Sequence, residues 1–169
     1  AVLQRNILEN PGWYTSYTPY QAEISQGRLE TLFTFQTMVC SMTAMPLANA
    51  SLLDEATACA EAMLMFFASR SRQQQKDNVC KFFVSQDLFP QSIDVIKTRA
   101  LPRGIEVVVA SEDTTLDETF FGAILQYPNC KGEIKDYAKF VSDAKAKGIF
   151  VAVSADLMSL ALLTPPGEW

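Results

Sequence analysis

Lys81-Phe82-Phe83-Val84, then Pro90 through Arg99, then Ile105-Glu106-Val107-Val108-Val109, reads as strand, helix, strand. The two short runs are apolar nearly throughout and rich in β-branched or aromatic residues, which fit a pleated, buried surface. Proline in the first turn of the intervening segment suits a helix start, where its missing N–H costs nothing. The same alternation continues toward the C-terminus. Phe120-Phe121-Gly122-Ala123-Ile124-Leu125-Gln126 predicts a strand, Asp136 to Lys147 a helix closed by Gly148, and Ile149-Phe150-Val151-Ala152-Val153 a further strand. Near-continuous apolar strands separated by helices predict a mostly parallel sheet covered on both faces, an α/β chain in α/β/α layers.

Toward the N-terminus the pattern is helical. Leu29, Leu32, Phe33, Phe35, Met38, Val39 and Met42 give a broad apolar face from Gly27 to about Thr43, and Pro46 ends it. A second helix starts near Ser51 or Asp54, where a hydroxyl and acids sit on the positive end. Its run from Ala56 to Ser69 is apolar nearly all round and is expected to lie buried between layers. Ser71 to Asn78, with Gln73-Gln74-Gln75, reads as an exposed loop. Ala1 opens directly into a helix-like segment.

Composition narrows the class. The chain has 169 residues, 49% hydrophobic and 20% charged, which is enough for one globular core. The net charge of −5, with no cluster of Lys and Arg, argues against nucleic acid as a partner. No apolar run reaches the length of a membrane span. Histidine is absent, which removes the commonest general base and the commonest metal ligand. Cys40, Cys59, Cys80 and Cys130 are scattered without metal-ligand spacing, so no metal site is expected. Cys59 reads as a buried thiol. Disulfides stay open on spacing alone, but a reducing, cytoplasmic setting fits better.

A second stretch stands apart. Asn10-Pro11-Gly12-Trp13-Tyr14-Thr15-Ser16-Tyr17-Thr18-Pro19-Tyr20-Gln21, continuing through Glu23-Ile24-Ser25-Gln26-Gly27-Arg28-Leu29-Glu30, concentrates rigid and aromatic residues in a polar background. Two readings fit: a structured loop covering a core, or a loop presenting tyrosine hydroxyls to a pocket. Physics alone places the first ahead, since a loop is functional only when a scaffold aims it.

This stretch resembles the signature of the glycine dehydrogenase (decarboxylating) family, the P-protein of the glycine cleavage system. Three more blocks carry the resemblance in the family's order and spacing. They are Leu47-Ala48-Asn49-Ala50-Ser51-Leu52-Leu53-Asp54-Glu55-Ala56-Thr57 with Glu61-Ala62-Met63, Phe89-Pro90-Gln91-Ser92-Ile93-Asp94-Val95-Ile96-Lys97-Thr98-Arg99, and Ala155-Asp156-Leu157-Met158 with Leu162-Leu163-Thr164-Pro165-Pro166-Gly167-Glu168. The resemblance implies part of the large domain of the pyridoxal-phosphate-dependent aminotransferase (type I) fold. Residues 1–48 would form an N-terminal loop and helix segment, and 49–169 a partial large domain. It implies an oxidoreductase of glycine catabolism that decarboxylates glycine on pyridoxal 5'-phosphate and passes the aminomethyl group to the lipoyl arm of H-protein. The ends imply an excised piece of the family's N-terminal half, a degenerate copy whose Schiff-base lysine belongs to the C-terminal half. On that reading the piece alone is inactive, holds no cofactor and contributes no catalytic residue. Its partners are the C-terminal half, H-protein and glycine, and its uncovered apolar surface leads it to self-associate.

Site candidates follow in two groups. Tyr14, Tyr17, Tyr20 and Gln21 are candidates for a shared substrate pocket, the rival reading being a purely structural module. Ser51, Phe89 and Asp156 are vestigial cofactor-binding candidates, since in such sheets ligands bind beyond the carboxyl ends of the strands. Ser51 could offer a hydroxyl to an anion, but plain capping is the stronger reading. Asp156 matches in pattern the acid that pairs with a pyridinium nitrogen in the aminotransferase fold. Phe89 departs from the family's usual histidine before Pro-Gln. It could stack on a cofactor, but reads first as a core aromatic. Lys81, Lys97, Lys131, Lys135, Lys139, Lys145 and Lys147 all read as surface residues.

Overall fold

The structure, a computed structural model, describes residues 1–11 and 29–169. The described residues fall into two compact units, one from Ala1–Ser41 and Met45–Ala50, the other from Met42–Ala44 and Ser51–Trp169.

The first unit contains α1 (Val2–Ile7) and all but the last two residues of α2 (Leu29–Thr43). Neither buries a residue. In α2, Phe33 and Met38 are 68% and 57% exposed, although the apolar spacing is that of a packed helix.

The second unit is built on four parallel strands: β1 (Lys81–Ser85), β2 (Glu106–Ala110), β3 (Phe120–Tyr127) and β4 (Phe150–Ala155). Their spatial order is β2-β1-β3-β4. Helices α3 (Glu55–Ala68) and α5 (Pro90–Ala100) cover one face around Phe82, Val84, Phe121 and Ile124. Helix α6 (Ala138–Ala146) covers the other around Phe83, Ala123, Leu125 and Tyr127. The expected layers are therefore present. Every residue of β3 is buried, which is why its sequence shows no polar alternation.

One irregularity shapes this core. Lys81 faces Phe120 and Phe82 faces Gly122, so β3 carries a bulge that skips Phe121. The extra residue reverses the side-chain alternation. Phe120 points to the α6 face, Phe121 to the α3–α5 face, and Gly122 lies against Phe66 and Phe82. A Cβ there would sit 3.0 Å from Phe66 and 3.1 Å from Phe82. The rings of Phe82 and Phe121 stack with centroids 5.4 Å apart.

Local signals set the helix ends. Asp54 caps α3, its carboxylate accepting the Thr57 N–H at 2.7 Å. Ser51, the other expected start, precedes the cap and is exposed. Helix α3 buries Ala56, Cys59, Ala60 and Met63, while Met65 is 59% exposed. It is thus one-faced, not sandwiched as its composition predicts. Residues read as a loop instead form a fourth helix, α4 (Arg72–Lys76). Ser71 and Gln74 make a reciprocal capping box that starts a run of good helix formers, Arg, Gln and Lys. Gly148 takes φ +70 just after α6, a left-handed conformation that glycine adopts without strain.

Candidate functional site

The carboxyl ends of the four strands and the loops that leave them form one edge of the sheet. The loop after β1 delivers Asp87, that after β2 Glu112, and that after β3 residues 128–137. Asp87 is 4% exposed and collects the others. Lys131 Nζ donates to its Oδ1 at 2.8 Å, and Lys135 Nζ to its Oδ2 at 2.7 Å. Lys135 Nζ also donates to Glu112 Oε2 at 3.0 Å, and the Ser85 hydroxyl donates to Glu112 Oε1. The Cys130 N–H donates to the Asp87 carbonyl at 2.9 Å. Hydrogen bonds from the two ammonium groups hold the Asp87 carboxyl below its ordinary range. The same bonds raise both lysines above theirs.

Lys131 is a surface residue as expected and Lys135 is half-buried, and both are paired with carboxylates. Side-chain exposure is 60% for Lys131 and 35% for Lys135. Beside Lys135 a groove of about 530 Å³ opens between the Glu112–Leu116 loop and α6, with Tyr137 and Phe140 along it. Tyr137 is 3% exposed and its hydroxyl donates to the Gln126 carbonyl at 3.2 Å. Burial pushes that phenol up to about 12.

A second polar group lies on the α3 face of the same edge. Glu55 Oε1 accepts from Gln126 Nε2 at 3.1 Å and from the Ser154 hydroxyl. Cys59, 4% exposed, lies beneath, and burial pushes its thiol up. The side-chain oxygens Gln126 Oε1 and Ser92 Oγ are buried without a hydrogen-bond partner.

The sequence candidates occupy less connected places. Asp156 follows β4 directly, its N–H donating to the Tyr127 carbonyl at 3.0 Å. Its carboxylate is exposed and accepts the Met158 and Ser159 N–H groups at 3.3 and 3.2 Å, closing a short turn. Phe89 is half-buried at the N-cap of α5. Tyr14, Tyr17, Tyr20 and Gln21 lie outside the described residues. Asp87, Glu112, Asn129, Lys131 and Lys135 were missed by sequence reasoning, because no local pattern links them.

The described residues of this edge do not fit pyridoxal phosphate. The positive end of α3 already holds the Asp54 carboxylate, with Glu55 next to it, so a phosphate there would meet like charge. The two lysines at the edge are each fixed as cations by carboxylates, whereas a Schiff base needs a neutral amine. Among the described residues no group of three or more acids or cysteines could hold a metal. None of their helices is long and apolar enough to cross a membrane.

Four parallel strands with helices on both faces and polar loops gathered at their carboxyl ends define part of the large domain of the pyridoxal-phosphate-dependent aminotransferase (type I) fold. A solved structure titled "Crystal structure of glycine decarboxylase (P-protein) of the glycine cleavage system, in inhibitor-bound form" superposes with TM-score 0.79 and 30% identity, over 98% of this chain and 38% of that one. The chain belongs to the glycine cleavage system P-protein family, whose model matches residues 1–169. It is 58% identical over 170 residues to glycine dehydrogenase (decarboxylating) of Bacteroides thetaiotaomicron, and 54% identical over 170 residues to that of Nostoc sp.. Each alignment takes in 100% of this chain but only 18% and 17% of the relative.

Proposed function

We propose that this chain works as part of a glycine dehydrogenase (decarboxylating), in which glycine loses carbon dioxide on pyridoxal phosphate and the aminomethyl group passes to the lipoyl arm of H-protein. The observation that carries this reading is the family match along the whole chain, with relatives of that name. Bound elsewhere in the longer protein, the cofactor supplies an electron sink for the carbanion. This chain's share is non-catalytic: residues 49–169 act as a partial large domain without a cofactor of its own. The commitment of Lys131 and Lys135 to Asp87 and Glu112 supports that role. Ser51, Phe89 and Asp156 are read as remnants of cofactor-facing positions. Tyr14, Tyr17, Tyr20 and Gln21, within the segment 1–48, are proposed to complete the wall of the substrate pocket.

The exposed apolar face of α2 favours a second role as an interaction surface. On this reading it packs against the remainder of the longer protein, and the chain alone self-associates through it.

Carbon exchange between glycine and bicarbonate, with pyridoxal phosphate and lipoylated H-protein added, tests the function. The chain alone is expected to give background exchange. Co-expression with the rest of a related P-protein restores activity, and Tyr14→Phe, Tyr17→Phe or Tyr20→Phe lowers it. Exchange by the chain alone would overturn the non-catalytic role.

A further inference from the structure

We propose that Asp87 is an electrostatic latch and that residues 129–135 form a strap over the carboxyl edge, able to open while the sheet stays folded. The strap is internally complete. Asn129 Oδ1 accepts the Lys131 and Glu133 N–H groups at 3.0 and 2.9 Å, and Asn129 Nδ2 donates to Glu133 Oε2 at 2.8 Å. The Asn129 N–H donates to the Glu133 carbonyl at 3.0 Å and the Gly132 N–H to the Asn129 carbonyl at 2.9 Å. These bonds travel with the strap if it moves.

Its fastening to the rest of the fold is of another kind. Lys131 and Lys135 reach the two oxygens of Asp87, Lys135 also reaches Glu112, Asn129 Nδ2 lies 3.5 Å from Asp87, and Cys130 N–H meets the Asp87 carbonyl. One buried carboxylate therefore gathers most of the fastening. Apolar packing adds little from Cys130 to Ile134, which are exposed, Ile134 at 60%, while Asn129, 3% exposed, is the buried root from which the strap swings. A segment held by charge and little apolar contact opens at low free-energy cost relative to global unfolding. Opening frees two ammonium groups and uncovers Asp87, Glu112 and Ser85 at the edge where ligands approach such sheets. The charged groups facing Asp87 are Lys131 and Lys135, with Glu112 and Glu133 next to them.

Hydrogen exchange resolved by mass spectrometry on the whole chain tests the latch. Asp87→Asn keeps the shape and removes the charge. It is expected to speed exchange of the Cys130 amide, whose acceptor is the Asp87 carbonyl, roughly ten-fold or more, while the amides of Asn129, Lys131, Gly132 and Glu133, bonded within the strap, and those of β1 and β3 stay unchanged. Raising salt from about 0.05 to about 1 M should speed the same amide in the native chain and speed it less in the variant, where only the Lys135–Glu112 pair is left to screen. The pair Lys131→Met with Lys135→Met leaves Asp87 intact and should reproduce the local effect, covering the case in which Asp87→Asn fails to fold. Unchanged exchange at the Cys130 amide in the lysine pair would mean that the Asn129 turn needs no latch. A rise shared equally by β1 and β3 would mean that Asp87 is only a core support. Either result overturns the proposal.

Discussion

Gln126 and Ser154 are register partners on adjacent parallel strands, and both donate to the same oxygen, Glu55 Oε1. One carboxylate on the first turn of α3 therefore ties two neighbouring strands to the helix that covers them.

Glu55→Ala removes the shared acceptor and leaves two mostly buried donors unpaired. The expected loss is about 1–3 kcal/mol, read as a lower urea midpoint with an unchanged slope. Glu55→Gln keeps an acceptor oxygen and should lose less. Equal midpoints for Glu55→Ala and the native chain would show that the bridge contributes nothing.

Gly122→Ala places a methyl group against the Phe66 and Phe82 rings, both closer than ordinary van der Waals contact. The rings must shift within a packed core, at a cost of about 1–3 kcal/mol. Thermal unfolding checks this, and Phe66→Leu in the same chain should recover part of the loss.

The latch has a pH signature. Asp87 is held below its ordinary value by the two lysines, so its contribution is fully present above about pH 3.9. It is lost as pH falls through the lowered folded value. Tyr137 carries the opposite sign. Burial raises its phenol from 10.0 to about 12, so its contribution is full below pH 10 and lost as pH rises toward 12. Unfolding midpoints measured against pH should show an acid arm that weakens in Asp87→Asn and an alkaline arm that weakens in Tyr137→Phe.

Thiol reactivity should follow exposure. Cys130 is exposed, Cys40 and Cys80 are half-buried, and Cys59 is buried with its thiol pushed up by desolvation. Under native conditions a disulfide reagent should modify Cys130 first and Cys59 last, the latter only on unfolding. Mass spectrometry of partly modified chain assigns the order.

The sheet was legible because its signals are local. Phe82-Phe83-Val84 and Val107-Val108-Val109 are continuous apolar runs, and Gly148 marks the stop after α6. The edge was not legible, because Asp87 meets Lys131 and Lys135 across separations of 44 and 48 residues. A lysine flanked by polar residues carries no mark of a buried partner that far away. Helix α4 hid for the opposite reason. Three glutamines suggested a loop, while the Ser71 and Gln74 capping box that starts the helix was present but unread. The β3 bulge had no signature beyond Gly122, and it explains how two consecutive residues, Phe121 and Gly122, face the same side of the sheet.

Trp169 packs against Tyr127 and Tyr137, ring centroids 5.6 and 6.2 Å away. At that separation light absorbed by either phenol passes to the indole and leaves as its longer-wavelength emission. Tyr127 ends β3 and Tyr137 closes the loop that carries the strap, so the ratio of tyrosine to tryptophan emission is a built-in optical gauge of this edge. In a Trp13→Phe background Trp169 is the remaining indole, and a stopped-flow trace of that ratio times the separation of the loop's end from the sheet without an attached dye.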